Sequence, residues 1–251
     1  MSSILAERIL ASKKISRSVV DDQDIGLVVR YKGTAASATV EVASTTGDIT
    51  FKAGALGAEA VDSTIDSGGN DAGVIDVSDS NADTMGEVVD LINASPNWEA
   101  YLVDCLRTDD SRTLLLTMSA TQANKTVVPQ GVRLFKDSSQ NDNFDISVAL
   151  MGRAFPNGFE RTEKTIEVVK GIVSTNTFAS GTNKIQVYEI NPVTRTETKV
   201  YERPGAATTV TQALASTDLT ISCDQGNYLL VRMVSSAAAA TGLLTVVGEA
   251  Y

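Results

Sequence analysis

The chain has 251 residues, 43% hydrophobic and 21% charged, with 31 acids against 21 bases, two cysteines and no histidine. Without histidine there is no Ser-His-Asp or Cys-His nucleophile system, no HExxH zinc site and no histidine-ligated iron. No run nears the roughly 20 apolar residues of a membrane helix, and Cys105 and Cys223 stand alone, which excludes a zinc ribbon or disulfide framework and suits a reducing compartment.

Residues 3–12 (SILAERILAS) place Ile4, Leu5 and Ile9 on one helical stripe that is too short to be stable alone. Glu7 and Arg8 interrupt its apolar character, so it is no signal-peptide core, and a protein made and kept inside a cell is expected. Over the first 20 residues Arg8, Lys13, Lys14 and Arg17 face only Glu7. We read residues 1–22 as an arm that docks on another subunit through Ile4, Leu5, Arg8, Ile9, Lys13, Lys14 and Arg17. The alternative is a solvated helix or a frayed terminus. Four bases make a weak nucleic-acid signal, and an acidic body repels phosphate, so neither nucleic acid nor membrane is expected as a partner.

Strand signals begin at Ile25. In IGLVVRY, residues Ile25, Leu27, Val29 and Tyr31 share one face. ATVEV follows with Val40 and Val42 inward, then the turn TTGD and DITFKAG with Ile49 and Phe51 paired, a meander with short connections. Residues 54–82 read as loop, with Val74–Val77 a short strand.

Thr84 and Glu87 then form a T-x-x-E capping box, and Met85, Val88, Val89 and Ile92 trace a helical stripe ended by Asn93-Ala-Ser-Pro96. NWEAYLVDCL, with the only tryptophan, Trp98, reads as a strand, and RTLLLTMSA as another. One helix packed on a sheet is the expected product.

This region also holds the charge. Between Glu59 and Asp110 stand 13 acids against one base, Arg107, so the other 199 residues sum to +2. Asp79-Ser-Asn81-Ala-Asp83 has the D-x-N-x-D spacing that starts a calcium loop. Thr84 occupies the sixth position, where an EF-hand needs glycine. Acids ahead of a helix N-terminus already have a reason in the helix dipole, and no metal or other cofactor is assigned.

Residues 120–140 are polar and suit a long excursion around the strand VRLF; FDISVALMG is a further strand. FPNGFERTEK marks a domain boundary, giving an α+β domain at 23–155 and a second domain at 156–251. The latter reads as TIEVVKGIV, NKIQVYEI and TETKVYE, with NPVTR as the hairpin loop between the last two. DLTISC, NYLLVRMVSS and LLTVVGEAY follow, with AAAATG as the turn before the last. The whole is mainly β, its second domain an antiparallel β-sandwich or jelly roll. The 27 threonines and 27 valines favour this, and the 5% aromatics argue against sugar clefts and base-stacking platforms.

The stretch DTMGEVVDLINASPNWEAYLVDCLRTDDSRTLLL resembles a segment of structural proteins of tailed bacteriophages. The matching residues are Asp83, Thr84, Glu87, Val88, Val89, Ile92, Asn93, Ala94, Trp98 and Ala100. The resemblance covers about 35 residues and carries over no functional residues. It implies a virion component without an active site, assembled in the host cytoplasm. We expect a non-enzymatic capsid decoration or cement protein that forms homo-oligomers and binds the major capsid protein or other virion proteins. A tail or neck component is the alternative within that class. Outside it stand a calcium-dependent adhesin or receptor-binding module, motivated by the acidic stretch, and a carboxylate-only hydrolase, which scarce aromatics disfavour.

Overall fold

A computed structural model of the chain describes residues 13–20, 23–44, 46–65, 72–111, 117–125, 128–129, 131–136, 144–150, 167–178, 183–204, 210–214, 221–222, 224, 227–235 and 239–250. They form antiparallel sheets and one helix, the mainly β class the sequence predicts. In chain order the strands begin β1 (Lys13–Val20), β2 (Ile25–Tyr31), β3 (Ser37–Val42), β4 (Ile49–Ala55), β5 (Ala58–Val61) and β6 (Val74–Ile75). Helix α1 (Met85–Ala94) follows, then β7 (Trp98–Leu102), β8 (Met118–Lys125), β9 (Val128–Pro129), β10 (Gly131–Phe135) and β11 (Phe144–Leu150). The last seven are β12 (Glu167–Phe178), β13 (Asn183–Ile190), β14 (Glu197–Pro204), β15 (Val210–Leu214), β16 (Ile221–Ser222), β17 (Tyr228–Ser235) and β18 (Ala239–Ala250).

The chain divides into two units, and one is inserted in the other: Ile25–Asp137 interrupts a unit made of Met1–Asp24 and Ser138–Tyr251. The sequence reading sets the boundary at 155/156 and keeps 1–22 apart as an arm; the crossings lie instead at 24/25 and 137/138. The physical reason is long-range pairing. β1 zips onto β18 from Lys13↔Ala250 to Val20↔Leu243, and β11 pairs with β17 from Phe144↔Ser235 to Leu150↔Leu229. Neither partnership leaves a local mark in composition. The FPNGFERTEK stretch lies outside the described residues.

In the inserted unit, one sheet has the order β10-β2-β7 and the other β5-β4-β3-β8-β9, with β6 also on β4. Strand alternation turns Leu27, Val29 and Tyr31 from β2, Val40 and Val42 from β3, and Ile49 and Phe51 from β4 into one core. The buried stripe of α1 (Met85, Val88, Val89, Ile92) joins it, and burying each such side chain stabilises by about 1.5–3 kcal/mol. At its centre Trp98 meets Tyr31 and Phe51 edge-on, with ring centroids 4.9 and 5.0 Å away. The first and last strand residues of the unit, Ile25 and Phe135, are cross-strand partners. Beside them the buried Lys136 ammonium donates to the Asp104 carbonyl (3.2 Å), and the Asp104 carboxylate accepts from the Ile25 amide (3.1 Å).

The surrounding unit is a two-sheet sandwich. One sheet has the order β1-β18-β12-β15, with β16 on β12, and the other β11-β17-β13-β14. β11 lies against both β18 and β1, so the two segments that flank the insertion meet within one sandwich. Leu244 and Val246 from β18 and Ile185, Val187 and Val231 from the other sheet are buried. Among the strands that depart from the sequence reading are β8, β15 and β18. Polar β8 starts in the expected strand RTLLLTMSA and runs on into the expected excursion, β15 lies inside an expected loop, and β18 begins within the expected alanine turn. Each is a strand because a neighbour supplies its ladder: β3 for β8, β12 for β15, and β1 and β12 for β18.

Candidate interaction surfaces

The 83–111 segment is built as a brace. Thr84 is extended (φ −120, ψ 152), its hydroxyl accepts from the Glu87 amide (3.3 Å), and the Glu87 carboxylate accepts from the Thr84 amide (3.1 Å). The next two helical amides, Met85 and Gly86, donate to the carbonyls of Asp109 and Arg107, both at 2.8 Å. The helix N-terminus is thus capped by the chain itself. A Cβ on Gly86 would sit 2.9 Å from the Arg107 Cβ and 3.0 Å from its carbonyl oxygen, so only glycine admits this approach. At the other end the Asn93 amide group acts as a further strand on the outer side of β7: its Nδ2 donates to the Ala100 carbonyl (3.0 Å) and its Oδ1 accepts from the Ala100 amide (2.9 Å). Trp98 Nε1 donates to the Asp62 carboxylate (2.9 Å). Thr84, Glu87, Val88, Val89, Ile92, Asn93, Trp98 and Ala100 therefore cap, clamp or fill a core.

The acidic residues are engaged close to home. Hydroxyls of Ser37, Ser78 and Thr84 hold the Glu59, Asp76 and Glu87 carboxyls, respectively, below their ordinary values. Asp90 pairs with Arg107 at 2.5 Å. The D-x-N-x-D spacing at 79–83 runs into the capping turn, and among the described residues no three Asp, Glu or Cys side chains converge as an ion cage. No described helix is long and apolar enough to cross a membrane.

Of the residues assigned to a docking arm, Ile4, Leu5, Arg8 and Ile9 lie outside the described residues. Lys13, Lys14 and Arg17 lie on β1, opposite Ala250, Glu249 and Val246. The segment is therefore joined at 13–20 to its own chain's sheet rather than projecting from residue 22.

A second surface escaped the sequence reading, which found the β13–β14 hairpin without giving it a role. Six of the eight β14 residues are exposed, so neither face of the strand is covered. At the tip Val193 is 87% exposed. The Asn191 side-chain oxygen accepts from the amides of Val193 and Thr194, both at 2.9 Å, and Arg195 Nα donates to the Asn191 carbonyl. Arg195 takes φ 61, the left-handed region that favours glycine. Along the stem Glu202 accepts from Lys199 (2.6 Å) and Gln186 (3.0 Å), with Lys184 at 3.4 Å, and its carboxyl is pushed down to about 2, chiefly by Lys199. A valine in the polar loop NPVTRT was the available sequence signal.

No protein-family model and no curated protein matches the chain. Among solved structures it is similar to the VP2 subviral particle of infectious bursal disease virus, with 13% identity over 96% of this chain and 71% of that one, at a TM-score of 0.21. The Gx strain of the same virus matches with 11% identity over 95% of this chain and 72% of that one, at 0.22. Likeness of that size assigns neither fold nor role.

Proposed function

We propose that this chain is a non-enzymatic virion structural protein, placed on a capsid surface as a decoration or cement protein in many copies. The observation that carries the reading is the brace at 83–111. The residues on which the resemblance to phage structural proteins was read are spent on capping, clamping and packing, with the local carboxylates satisfied by the chain's own donors. Such a segment makes a rigid part and offers no reacting group. Two β units joined by a double crossing suit the same role, since particle stability comes from interfaces between rigid copies. The arm residues Ile4, Leu5, Arg8, Ile9, Lys13, Lys14 and Arg17 belong to this proposal as a contact to a neighbouring virion protein.

Mass spectrometry of purified virions tests the proposal: the chain is expected among the structural proteins, and its absence there removes the reading. Copy number then separates placements. On the order of hundreds of copies per particle supports the head, and about three to twelve supports the tail or neck.

A further inference from the structure

A strand at the end of a sheet offers an unused row of amides and carbonyls. Folded chains commonly guard such rows with charge, proline, bulges or brevity. Among the described residues the sheet ends are β1 and β15, β10 and β7, β11 and β14, and β5 and β9. β1 carries Lys13, Lys14 and Arg17, β14 carries Lys199, Pro204 and a bulge opposite Val187/Tyr188, and β10 carries Arg133 and a bulge at Leu134/Phe135. β5 is four residues long with Glu59, β9 is two residues long with Pro129, and β11 carries Asp145. β7 carries Glu99, and the Asn93 amide group occupies its outer side at Ala100.

β15 is the exception. Its sequence, Val-Thr-Gln-Ala-Leu, has no charged residue, proline or glycine, and it pairs with β12 from Asn176↔Val210 to Ile172↔Leu214 without a register shift. Among the described residues no strand lies on its other side. Its outer edge is the least guarded pairing surface of the described chain.

Two features indicate the occupant. The strand matches itself: in antiparallel pairing about Gln212, Val210 faces Leu214 and Thr211 faces Ala213. Apolar then meets apolar and small meets small, with no like charges opposed. The chain's net charge of −10 opposes close approach of two copies, and β15 adds nothing to that repulsion. Such pairing is also self-limiting. A two-fold contact uses up the unguarded edge of both copies at once and leaves only guarded edges outside. We propose that β15 pairs antiparallel with β15 of a second copy of this chain, so that the β1-β18-β12-β15 sheet continues across a two-fold axis. The contact goes beyond the virion reading and stands without it.

Sedimentation velocity on the full chain, with hydrogen exchange at several concentrations, tests the contact. The native chain is expected to dimerise, with amide exchange in 210–214 slowing as the dimer forms. By register Thr211 and Ala213 lie on the sheet face opposite the buried Leu244 and Val246, so lysines there stay out of the core. Thr211→Lys with Ala213→Lys is expected to weaken dimerisation roughly ten-fold or more, with an unchanged melting temperature. Thr198→Lys with Val200→Lys makes the same charge change at exposed positions of the guarded β14 edge and is expected to leave dimerisation as it was. A chain monomeric at every concentration, exchange in 210–214 that ignores association, association unaltered by the β15 lysines, or equal weakening by the β14 lysines overturns the proposal. If the β15 lysines prevent folding, exchange in the native chain decides alone. A β15-paired dimer missing from virions removes the virion reading alone, and a virion protein that does not pair through β15 removes this contact alone.

Discussion

Asp62 shows how much a single buried residue organises. Its carboxylate accepts from the Thr64 amide (3.1 Å) and hydroxyl (2.8 Å), from Asn97 Nδ2 (3.1 Å) and from Trp98 Nε1 (2.9 Å). Burial pushes its pKa up, but these donors outweigh burial and hold the group below the ordinary 3.8. A depressed folded-state pKa contributes stability that is present above the unfolded value and lost as pH falls through the folded one. Asp62→Asn is therefore expected to cost about 1–3 kcal/mol at neutral pH. Urea unfolding at pH 7 and at pH 3 checks this: the gap from the native protein must narrow at the lower pH, and a gap independent of pH contradicts the assignment. Nothing local announces this role. Asp62 sits in a stretch that reads as loop, and two of its donors come from 35 and 36 residues away. Asn93 is similar: it ends the expected helix, but its grip on Ala100 becomes visible only once β7 is in place.

At the scale of elements, α1 was legible because its signals are local. The T-x-x-E box and the stripe Met85, Val88, Val89, Ile92 lie within nine residues, and the structure buries that stripe. The β2, β3 and β4 alternations were legible for the same reason. β8 and β15 were not, since a polar strand is made by its neighbour and not by its own pattern. Gly86 joins the two cases. It stands in a readable helix, but the need for glycine comes from Arg107, 21 positions on. Gly86→Ala raises helix propensity yet forces a Cβ against that backbone, and the clash is expected to dominate, with a net loss of about 1–3 kcal/mol. Chemical denaturation measures it; a stabilised variant would mean that the 107–109 segment yields freely.

The whole molecule is organised by the insertion, the feature least legible in the sequence. Its two ends meet where Ile25 pairs with Phe135, and Lys136, Asp104 and Ile25 tie the junction. A unit closed in this way has its own core and its own short path between ends. Residues 23–137 expressed alone are expected to unfold in urea in one cooperative transition, with the near-ultraviolet dichroism of an immobilised Trp98. A non-cooperative transition or a mobile tryptophan would show that the surrounding sandwich is needed.

The β1–β18 ladder has a mechanical consequence. Lys13 and Ala250 are paired at the same end of an antiparallel pair, so a pull applied through those two positions opens the ladder one rung at a time, as a zipper opens, instead of shearing all rungs together. Traction through these two positions thus peels the edge strand β1 from β18 before it can draw on the crossings to residues 25–137. The sandwich acts as a mechanical fuse, yielding at low force while the inserted unit stays slack and folded.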